Sequence, residues 1–493
     1  MELLERRSDV RNKILMRDII SHFIEVIGAP LCGLLLSLAY PLEFGYVIAI
    51  IAISLNCIII HRSRSGINRF IQALLFVSSQ NIGNYWFLVS KIQSEYGMIL
   101  IILSIVFVKI LPFIAIIFFK KNPVELFLLL FLLSDYLFSA FPVGNSIFQL
   151  GILLSDIPTA ISWYSVTGIN WGSLYLILIS YTLYRTLYFH RDYSLLIISI
   201  TLPFLISYIF TSISSNQQKI SVGLISLSKN EDKDKIHHIL EKETNNNDKI
   251  ILIPEGTFYL NENEVQFAPN ITELIRYSKR YRKQIAVGLF VQSKEYVNNY
   301  IAILSPEDDI KRKHKSILIP FAEYLPMESI LEKSAYIKDK VISPVKRQID
   351  NQHIFVIDSH KVSFLICYEA LFSNYLSDLS KEGAEVFFIE SSNTFINSEY
   401  LEKVIIKLLQ AEAITLQRSF ARSVENGESC IIDNTGKILY RDMKSTKYVS
   451  KEVPTNKYIT PYVKFRKKID FTYILTILLL LVYFIAEPDH PRG

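Results

Sequence analysis

The feature that most constrains this chain is a succession of apolar runs that occupies most of residues 18–213. A helix needs ~20 consecutive apolar residues to cross the hydrocarbon core of a bilayer. Seven runs approach or exceed that length: residues 19–40, 44–60, 67–90, 98–119, 124–141, 171–188 and 193–212. An eighth run, residues 471–486, lies near the carboxyl end. The pattern predicts a multi-pass α-helical membrane domain with seven helices and one further transmembrane helix. Because more runs follow the first one, we expect it to be retained rather than cleaved as a signal peptide.

The composition agrees with a membrane protein and argues against other classes. Half of the 493 residues are hydrophobic and 20% are charged, a low share for a soluble enzyme of this size. The net charge of +5 is small and no long basic run is present, so we expect no nucleic-acid partner. The four cysteines (Cys32, Cys57, Cys367 and Cys430) are far apart, which argues against a zinc site and a disulfide framework.

Positive charge alternates between the connections of the apolar runs, and it marks the cytoplasmic side of a membrane. The basic residues of the amino terminus and of the even-numbered connections are Arg6, Arg7, Arg11, Lys13, Arg17, Arg62, Arg64, Arg69, Lys120, Lys121, Arg185 and Arg191. Seven crossings from a cytoplasmic start place the following domain outside. The cluster Lys464, Arg466, Lys467 and Lys468 precedes the last apolar run on that outer side, where we expect it to touch lipid phosphates.

From Ile220 the sequence changes to short β-rich runs that alternate with charged helical stretches. We predict strands at 220–227, 251–254, 285–291, 362–366, 386–389 and 429–432, and helices at 232–241, 271–282 and 400–424. Such alternation predicts sheets covered by helices. The chain therefore divides into a membrane domain (1–215), a globular domain (220–455), and a carboxyl-terminal transmembrane helix with a short cytoplasmic tail (456–493).

Three segments of the globular domain carry residues that suit acyl transfer. Residues 251–256 form an apolar strand that ends at the carboxylate of Glu255, and residues 362–369 form one that ends at Cys367. Between them, Lys315 leads a β run into a loop bounded by prolines. A thiolate can serve as nucleophile when a cation lowers its pKa and a base removes its proton. Each segment alone has a simpler reading, because a strand-end cysteine is usually inert packing and a lone Glu or Lys is usually solvated.

In combination the segments resemble the carbon–nitrogen hydrolase (nitrilase) superfamily, whose catalytic trio is Glu, Lys and Cys in that order. Residues 318–326 (LIPFAEYLP) closely resemble the LVPFGEYLP block of bacterial apolipoprotein N-acyltransferases. Further similarities lie at residues 366–369, 418–429, 141–144 and 165–172. The resemblance covers almost the whole chain, including seven helices before the catalytic domain and one after it.

The resemblance implies a function and a set of roles. Glu255 would be the general base, Lys315 the oxyanion-stabilising cation and Cys367 the nucleophile. Among Lys311, Lys313 and Lys315, the resemblance favours Lys315, because it stands five residues before Pro320 as in the family block. The supporting positions would be Glu323, Tyr368 and Glu369. It also implies an α-β-β-α sandwich and a location in the bacterial cytoplasmic (inner) membrane, where the outer side given by the basic connections is the periplasmic side. We expect a monomer. The acyl donor would be a membrane phospholipid, the acceptor a diacylglyceryl-modified apolipoprotein, and no metal or organic cofactor would be needed.

The chain departs from the family pattern at several positions. Ile253 stands where the family has Trp before its Pro-Glu, and Ala322 replaces a Gly. All three tryptophans lie in the membrane part, so the family tryptophan after the first strand of the catalytic domain is missing. Two alternatives therefore stay open: a membrane-anchored nitrilase-type amidase, and a non-enzymatic membrane binding protein with a degenerate hydrolase domain.

One ionisable residue, Asp135, lies inside an apolar run. A charge at this depth is costly and marks a functional candidate. The simpler expectation is that Asp135 lies near the outer end of its helix and reaches water or a polar partner.

Overall fold

A computed structural model describes residues 27–486 except 90–94, 120, 141–143, 191, 211–217, 229–232, 234, 246, 264, 266–267, 295, 308, 321, 325–344, 349, 351, 395 and 444. The basic amino-terminal residues, Lys120 and Arg191, lie outside the described residues, as do residues 141–143 and 325–326 of the segments that carry the family resemblance.

The described part of each apolar run lies almost entirely on helices, apart from a few residues at the ends of the runs. The helices of the membrane part are α1 (Ile27–Ala39), α2 (Gly45–Arg62), α3 (Gly66–Val89), α4 (Glu95–Ile110), α5 (Ala115–Phe118), α6 (Pro123–Ala140), α7 (Tyr164–Thr167), α8 (Ile169–Phe189) and α9 (Tyr193–Phe210). In the described residues, α2, α9 and the last helix are long and apolar enough to cross a membrane. The outward face of α9 exposes Leu205 and Ile209 by 65% and 69%, which suits contact with lipid rather than water.

The last helix of the chain begins earlier than hydropathy indicates. It spans Pro461–Ala486 with a kink at Phe465 (φ −118°, ψ 16°). The basic cluster lies around this kink, within the helical segment, and the prediction that the cluster precedes the helix is wrong. The start follows from capping: the Thr460 hydroxyl accepts the backbone N–H of Val463 (3.2 Å), and Pro461 occupies the first helical position. Within the cluster, Arg466 bonds Asp378 of the globular domain at 2.7 Å.

The globular domain contains two six-stranded sheets, in the orders β12-β1-β2-β3-β4-β5 and β11-β10-β9-β8-β7-β6. The strands are β1 (Gln218–Ser226), β2 (Ile250–Asn261), β3 (Gln284–Gln292), β4 (Val297–Leu304), β5 (Ile310–His314), β6 (Phe355–Ile357), β7 (His360–Ile366), β8 (Val386–Ser392), β9 (Ser419–Glu425), β10 (Glu428–Ile432), β11 (Ile438–Met443) and β12 (Lys447–Thr455). Pairs β1–β2, β2–β3, β7–β8 and β8–β9 are parallel, and the other pairs are antiparallel.

Helices cover the outer face of each sheet. They are α10 (Lys235–Glu243), α11 (Pro269–Tyr281), α12 (Ser373–Glu382) and α13 (Glu399–Leu416), and α14 (Pro461–Ala486), which is long and apolar enough to cross a membrane, follows. One apolar cluster, which includes Leu252 and Phe388, fills the space between the sheets. A second cluster joins the first sheet to α10 and α11, and a third joins the second sheet to α13 and the membrane helices. The predicted membrane domain with an α-β-β-α sandwich is therefore confirmed.

The predicted helix over residues 400–424 is wrong in its last third. Helix α13 ends at Leu416 because Gln417 adopts a left-handed conformation (φ 51°), and β9 follows at once. Strand β9 pairs with β8 on one side and with β10 on the other. This sheet pairing outweighs the apolar pattern that continues the helix in the sequence.

Polar contacts fix the globular domain against the membrane helices. The Lys407 ammonium on α13 bonds Asp156 (2.7 Å) and the backbone carbonyl of Leu42 (2.6 Å). The Tyr400 hydroxyl donates to the carbonyl of Ser37 at 3.0 Å. These contacts hold the second sheet, which carries Cys367 at the end of β7, close to the membrane part.

Asp135 has a polar partner inside the helical bundle. The ammonium of Lys109 on α4 lies 2.8 Å from the Asp135 carboxylate, and both side chains are buried. Each group supplies the countercharge that the other needs away from water, so the pair accounts for an ionisable residue at this depth.

Candidate functional site

Glu255 lies at an irregularity in the middle of β2, not at the end of a strand as the sequence predicts. The pairing of β2 with β3 shifts register between Ile253 and Phe258, and Gly256 adopts a left-handed conformation (φ 66°). The Thr257 hydroxyl closes the irregularity by donating to the carbonyl of Pro254 (2.7 Å). A bulge of this kind redirects a side chain, and here it places Glu255 in the interior with 4% of its surface exposed.

Lys315 lies directly after β5, so the prediction that it leads a β run is wrong. Its backbone N–H donates to the carbonyl of Asn299 on the neighbouring strand (2.9 Å). Its ammonium bonds Glu255 at 3.1 Å and Glu323 at 2.7 Å, and only 1% of the residue is exposed. Lys315 therefore joins two carboxylates that lie far apart in the sequence.

The electrostatics of this group keep Lys315 charged. Burial lowers the pKa of Lys315, but the carboxylates of Glu255 and Glu323 outweigh that effect and hold the pKa well above its usual value. Burial also raises the pKa of Glu323, which the Lys315 ammonium partly offsets.

Glu255 is held from three directions. One carboxylate oxygen accepts the Asn299 amide (2.8 Å) and the Lys315 ammonium, and the other accepts the backbone N–H of Ser392 at the end of β8 (3.1 Å). Asn299 is on β4 and Lys315 directly follows β5, both in the first sheet, whereas Ser392 is the last residue of β8 in the second sheet. The carboxylate is thus fixed between the sheets.

Cys367 follows the last residue of β7 and begins a short 3₁₀ turn, Cys367–Leu371. Its φ of 47° is in the left-handed region, which non-glycine residues seldom adopt outside functional or tightly constrained sites. The residue is half-buried, whereas Glu369 in the same turn is fully buried. The turn therefore presents the thiol while anchoring its far side in the core.

The surroundings of Cys367 disfavour a resting thiolate. Burial and then the negative charge of Glu255 raise the pKa of the Cys367 thiol to about 12, and the opposing effect of Lys315 is smaller. The Lys315 ammonium lowers this pKa, as expected of a nearby cation, but burial and the Glu255 and Glu323 carboxylates outweigh that effect, so the net shift is upward. A thiol in this environment would act as a nucleophile only with a base to take its proton.

The supporting residues named from the family resemblance lie around the same turn. The Glu369 carboxylate accepts the backbone N–H groups of Ile366 (2.8 Å) and Ser316 (2.6 Å). The Tyr368 hydroxyl accepts the amide of Asn145, a residue of the membrane part, at 3.4 Å. The turn is thereby linked both to the segment after Lys315 and to the membrane domain.

Four polar residues of this region have no role in the prediction from the sequence: Asn299, Glu390 and Ser392, and Lys313, over which the resemblance favours Lys315. Asn299 is on β4, a strand that was not predicted, and Ser392 acts through its backbone. Glu390 is fully buried on β8, and both of its carboxyl oxygens lack a hydrogen-bond partner among the described residues. Within the described part of the chain, no group of three or more His, Cys, Asp or Glu residues could hold a metal ion.

Two family models match the chain. Residues 32–182 match the apolipoprotein N-acyltransferase N-terminal domain, and residues 227–455 match the carbon-nitrogen hydrolase family. The matched segments correspond to the membrane part and to the two-sheet domain.

Curated relatives of the chain are named apolipoprotein N-acyltransferase. The one from Pasteurella multocida (strain Pm70) is 23% identical over 256 residues, which is 50% of this chain and 48% of the relative. The one from Vibrio vulnificus (strain CMCP6) is 24% identical over 198 residues, 38% of this chain and 39% of the relative. The aligned part thus spans less than half the length of these relatives.

Solved structures similar to the chain include an amidase from Nesterenkonia sp., with a TM-score of 0.37 at 11% identity over 53% of this chain and 99% of that one. They also include the C. elegans NitFhit protein, with a TM-score of 0.38 at 15% identity over 53% of this chain and 65% of that one.

Proposed function

The chain belongs to the apolipoprotein N-acyltransferase family, and we propose that it moves a fatty acyl chain from a membrane phospholipid to the α-amino group of the lipid-modified N-terminal cysteine of lipoproteins. The observation that carries this proposal is the placement of a Glu255–Lys315 pair in a two-sheet domain whose Cys367 turn contacts a membrane domain. A site joined in this way to a membrane bundle suits substrates that are themselves lipids.

In the first half-reaction, the sulfur of Cys367 attacks the ester carbonyl of the phospholipid while Glu255 takes the thiol proton. The raised pKa of the thiol makes this proton transfer part of the attack rather than a prior equilibrium. The Lys315 ammonium and the backbone N–H of Tyr368 stabilise the oxyanion of the tetrahedral intermediate. The carbon–oxygen bond then breaks, and Glu255 returns its proton to the departing lysophospholipid, which leaves a thioester on Cys367.

In the second half-reaction, the α-amine of the lipid-modified cysteine attacks the thioester. Glu255 accepts a proton from the amine, the same two donors stabilise the second oxyanion, and the carbon–sulfur bond breaks. The thiol is re-formed with the proton that Glu255 carries, and the product is an amide. Lys315 keeps its charge throughout because two carboxylates face it.

We further propose the orientation that the basic connections predict. The catalytic domain, residues 220–455, would lie on the periplasmic side of the bacterial inner membrane, with residues 1–215 as a seven-helix membrane domain. The protein would act as a monomer. The described parts of the apolar runs support a membrane location, since each lies almost entirely on helices.

The proposed function is tested on the product in cells. A strain depleted of this protein is complemented with the wild type or with Cys367→Ala, and the N-terminal peptide of a lipoprotein is examined by mass spectrometry. We expect a third acyl chain, amide-linked, with the wild type and only two acyl chains with the variant. Triacylated lipoprotein in cells that carry Cys367→Ala would refute the proposal.

A further inference from the structure

Three lysines occupy every second position from β5 to the residue that follows it, and their surroundings differ. Lys311 is exposed and lies 3.5 Å from Asp309. Lys315 is the buried ammonium of the proposed catalytic site. Lys313, between them, is also buried, but its ammonium bonds Glu369, at 3.1 and 3.2 Å from the two carboxylate oxygens. Both side chains of the Lys313–Glu369 pair have no exposed surface.

The partner of Lys313 connects the two halves of the proposed site. The Glu369 carboxylate accepts the backbone N–H of Ser316, the residue after Lys315, at 2.6 Å. It also accepts the backbone N–H of Ile366, the residue before Cys367, at 2.8 Å. One carboxylate therefore fixes the backbone beside the oxyanion-stabilising cation and the backbone beside the nucleophile.

The remaining contacts of Lys313 are internal to the same cluster. Its ammonium also donates to the backbone carbonyl of His314 (2.5 Å) and to the hydroxyl of Ser316 (3.4 Å). A fully buried carboxylate such as Glu369 requires a countercharge, and among the described residues the ammonium that it pairs with is that of Lys313.

We propose that Lys313 is a positioning residue for the acyl transfer: by neutralising Glu369, it holds the Cys367 turn and the Lys315 segment at a fixed separation. The proposal rests on the proposed function, because it assigns Lys315 and Cys367 their roles in that reaction. Lys313 itself does not touch the reacting atoms.

Loss of the Lys313 ammonium leaves the Glu369 carboxylate as a buried charge without its cation. Such an uncompensated charge is costly, and the cost is relieved when the carboxylate shifts toward water or another donor and away from the two backbone N–H groups. The separation between the oxyanion donor and the nucleophile then relaxes. A displacement of about 1 Å in such a geometry costs about 10²-fold in rate.

The test compares Lys313→Met with Lys311→Met, a matched change two residues away on an exposed position of the same strand. Acylation of Cys367 is followed by mass spectrometry with phospholipid, and separately with a p-nitrophenyl ester, an activated acyl donor. We expect the acylation rate of Lys313→Met to fall about 10²-fold with either donor, with the half-saturating phospholipid concentration within about threefold of the wild type. Lys311→Met should match the wild type.

A double variant, Lys313→Met with Glu369→Gln, separates positioning from stability. It removes the unpaired buried charge, so we expect its Tm to return toward the wild type while acylation stays at least about tenfold reduced, since one amide oxygen replaces two carboxylate oxygens as the acceptor. Full recovery of acylation together with Tm would overturn the proposal, as would wild-type acylation by folded Lys313→Met. A wild-type protein that reacts with the p-nitrophenyl ester but never with phospholipid would refute the proposed function, and the ester rates of the variants would still decide the role of Lys313.

Discussion

The raised pKa of Cys367 makes a prediction about a reaction that needs no lipid, namely alkylation by iodoacetamide. This reagent reacts with the thiolate. At pH 7 a thiol with a pKa of about 12 is ~10⁻⁵ ionised, whereas an ordinary cysteine with a pKa of about 8.5 is ~3% ionised. The thiolate of Cys367 is therefore scarcer by a factor of about 3 × 10³. Its higher basicity makes each thiolate about 30–50-fold more nucleophilic, which leaves a net rate about 10²-fold below that of a free thiol.

The assay is a time course at several pH values with a short unstructured peptide that contains one internal cysteine in the same tube as the reference thiol. The modified peptide that contains Cys367 is quantified by mass spectrometry. We expect the rate at Cys367 to rise about tenfold per pH unit from 7 to 10 without a plateau, because the pKa lies above that range.

The variant Glu255→Gln should change alkylation and acyl transfer in opposite directions. Among the charges that raise the pKa of Cys367, Glu255 has the largest effect, so Glu255→Gln should lower that pKa and speed alkylation at pH 9. The same change should abolish acyl transfer, because the proposed base is lost. A rate at pH 7 within threefold of the reference thiol, a plateau between pH 7 and 9, or slower alkylation in Glu255→Gln would each refute this electrostatic reasoning.

Three further predictions concern the cation, the core and the pH dependence of stability. Lys315→Met should reduce thioester formation from phospholipid by ~10²–10³-fold, as removal of one oxyanion donor typically does, and a smaller than threefold loss in a single-turnover assay would contradict its role. Burial, together with the charge of Glu255, raises the pKa of Glu390 well above its usual value. Glu390→Leu removes a buried carboxyl that has no hydrogen-bond partner among the described residues, so it should raise the free energy of unfolding by about 1–3 kcal/mol. A lower Tm for this variant would contradict the prediction. Burial raises the pKa of Glu412 to about 7, above its value in the unfolded chain. The protonated carboxyl therefore contributes its full stability to the fold at acid pH, and this contribution is lost as the pH rises through 7. Glu412→Gln does not titrate, and its Tm relative to the wild type should therefore increase between pH 5 and 9; a pH-independent difference would contradict the assignment.

The features predicted most accurately from the sequence are those that follow from the hydrophobicity and length of a single segment. The apolar runs lie on helices because the thickness of a bilayer fixes the length of a helix that crosses it. Cys367 lies at the end of β7 as predicted, since a buried strand reads as a continuous apolar run.

Other features depend on contacts between distant segments and could not be predicted locally. The apolar pattern of α13 continues into β9, and only the pairing of β9 with two neighbours makes residues 419–425 a strand. The bulge at Glu255 depends on the register between β2 and β3. The partner of Asp135 could not be predicted from its own apolar run, because Lys109 lies on another helix.

The proposed site shows the same division between local and distant information. The spacing of Lys315 from Pro320 distinguishes it from the two preceding alternate lysines of the same segment. Its contacts with Glu255 and Glu323 are in keeping with that prediction. The role of Glu369 as an acceptor for two backbone segments depends on the approach of β5 to the Cys367 turn, for which a single sequence has no signal.

The most direct test of the proposed acyl transfer is the mass of Cys367 after incubation with phospholipid and no acceptor. We expect the peptide that contains Cys367 to gain the mass of one fatty acyl chain, hydroxylamine to remove it, and Glu255→Gln to form little of it. A diacylated lipopeptide with a free α-amine should discharge the adduct faster than water does. If a small amide acylates Cys367 and phospholipid never does, the acyltransferase account is contradicted and the amidase alternative is supported.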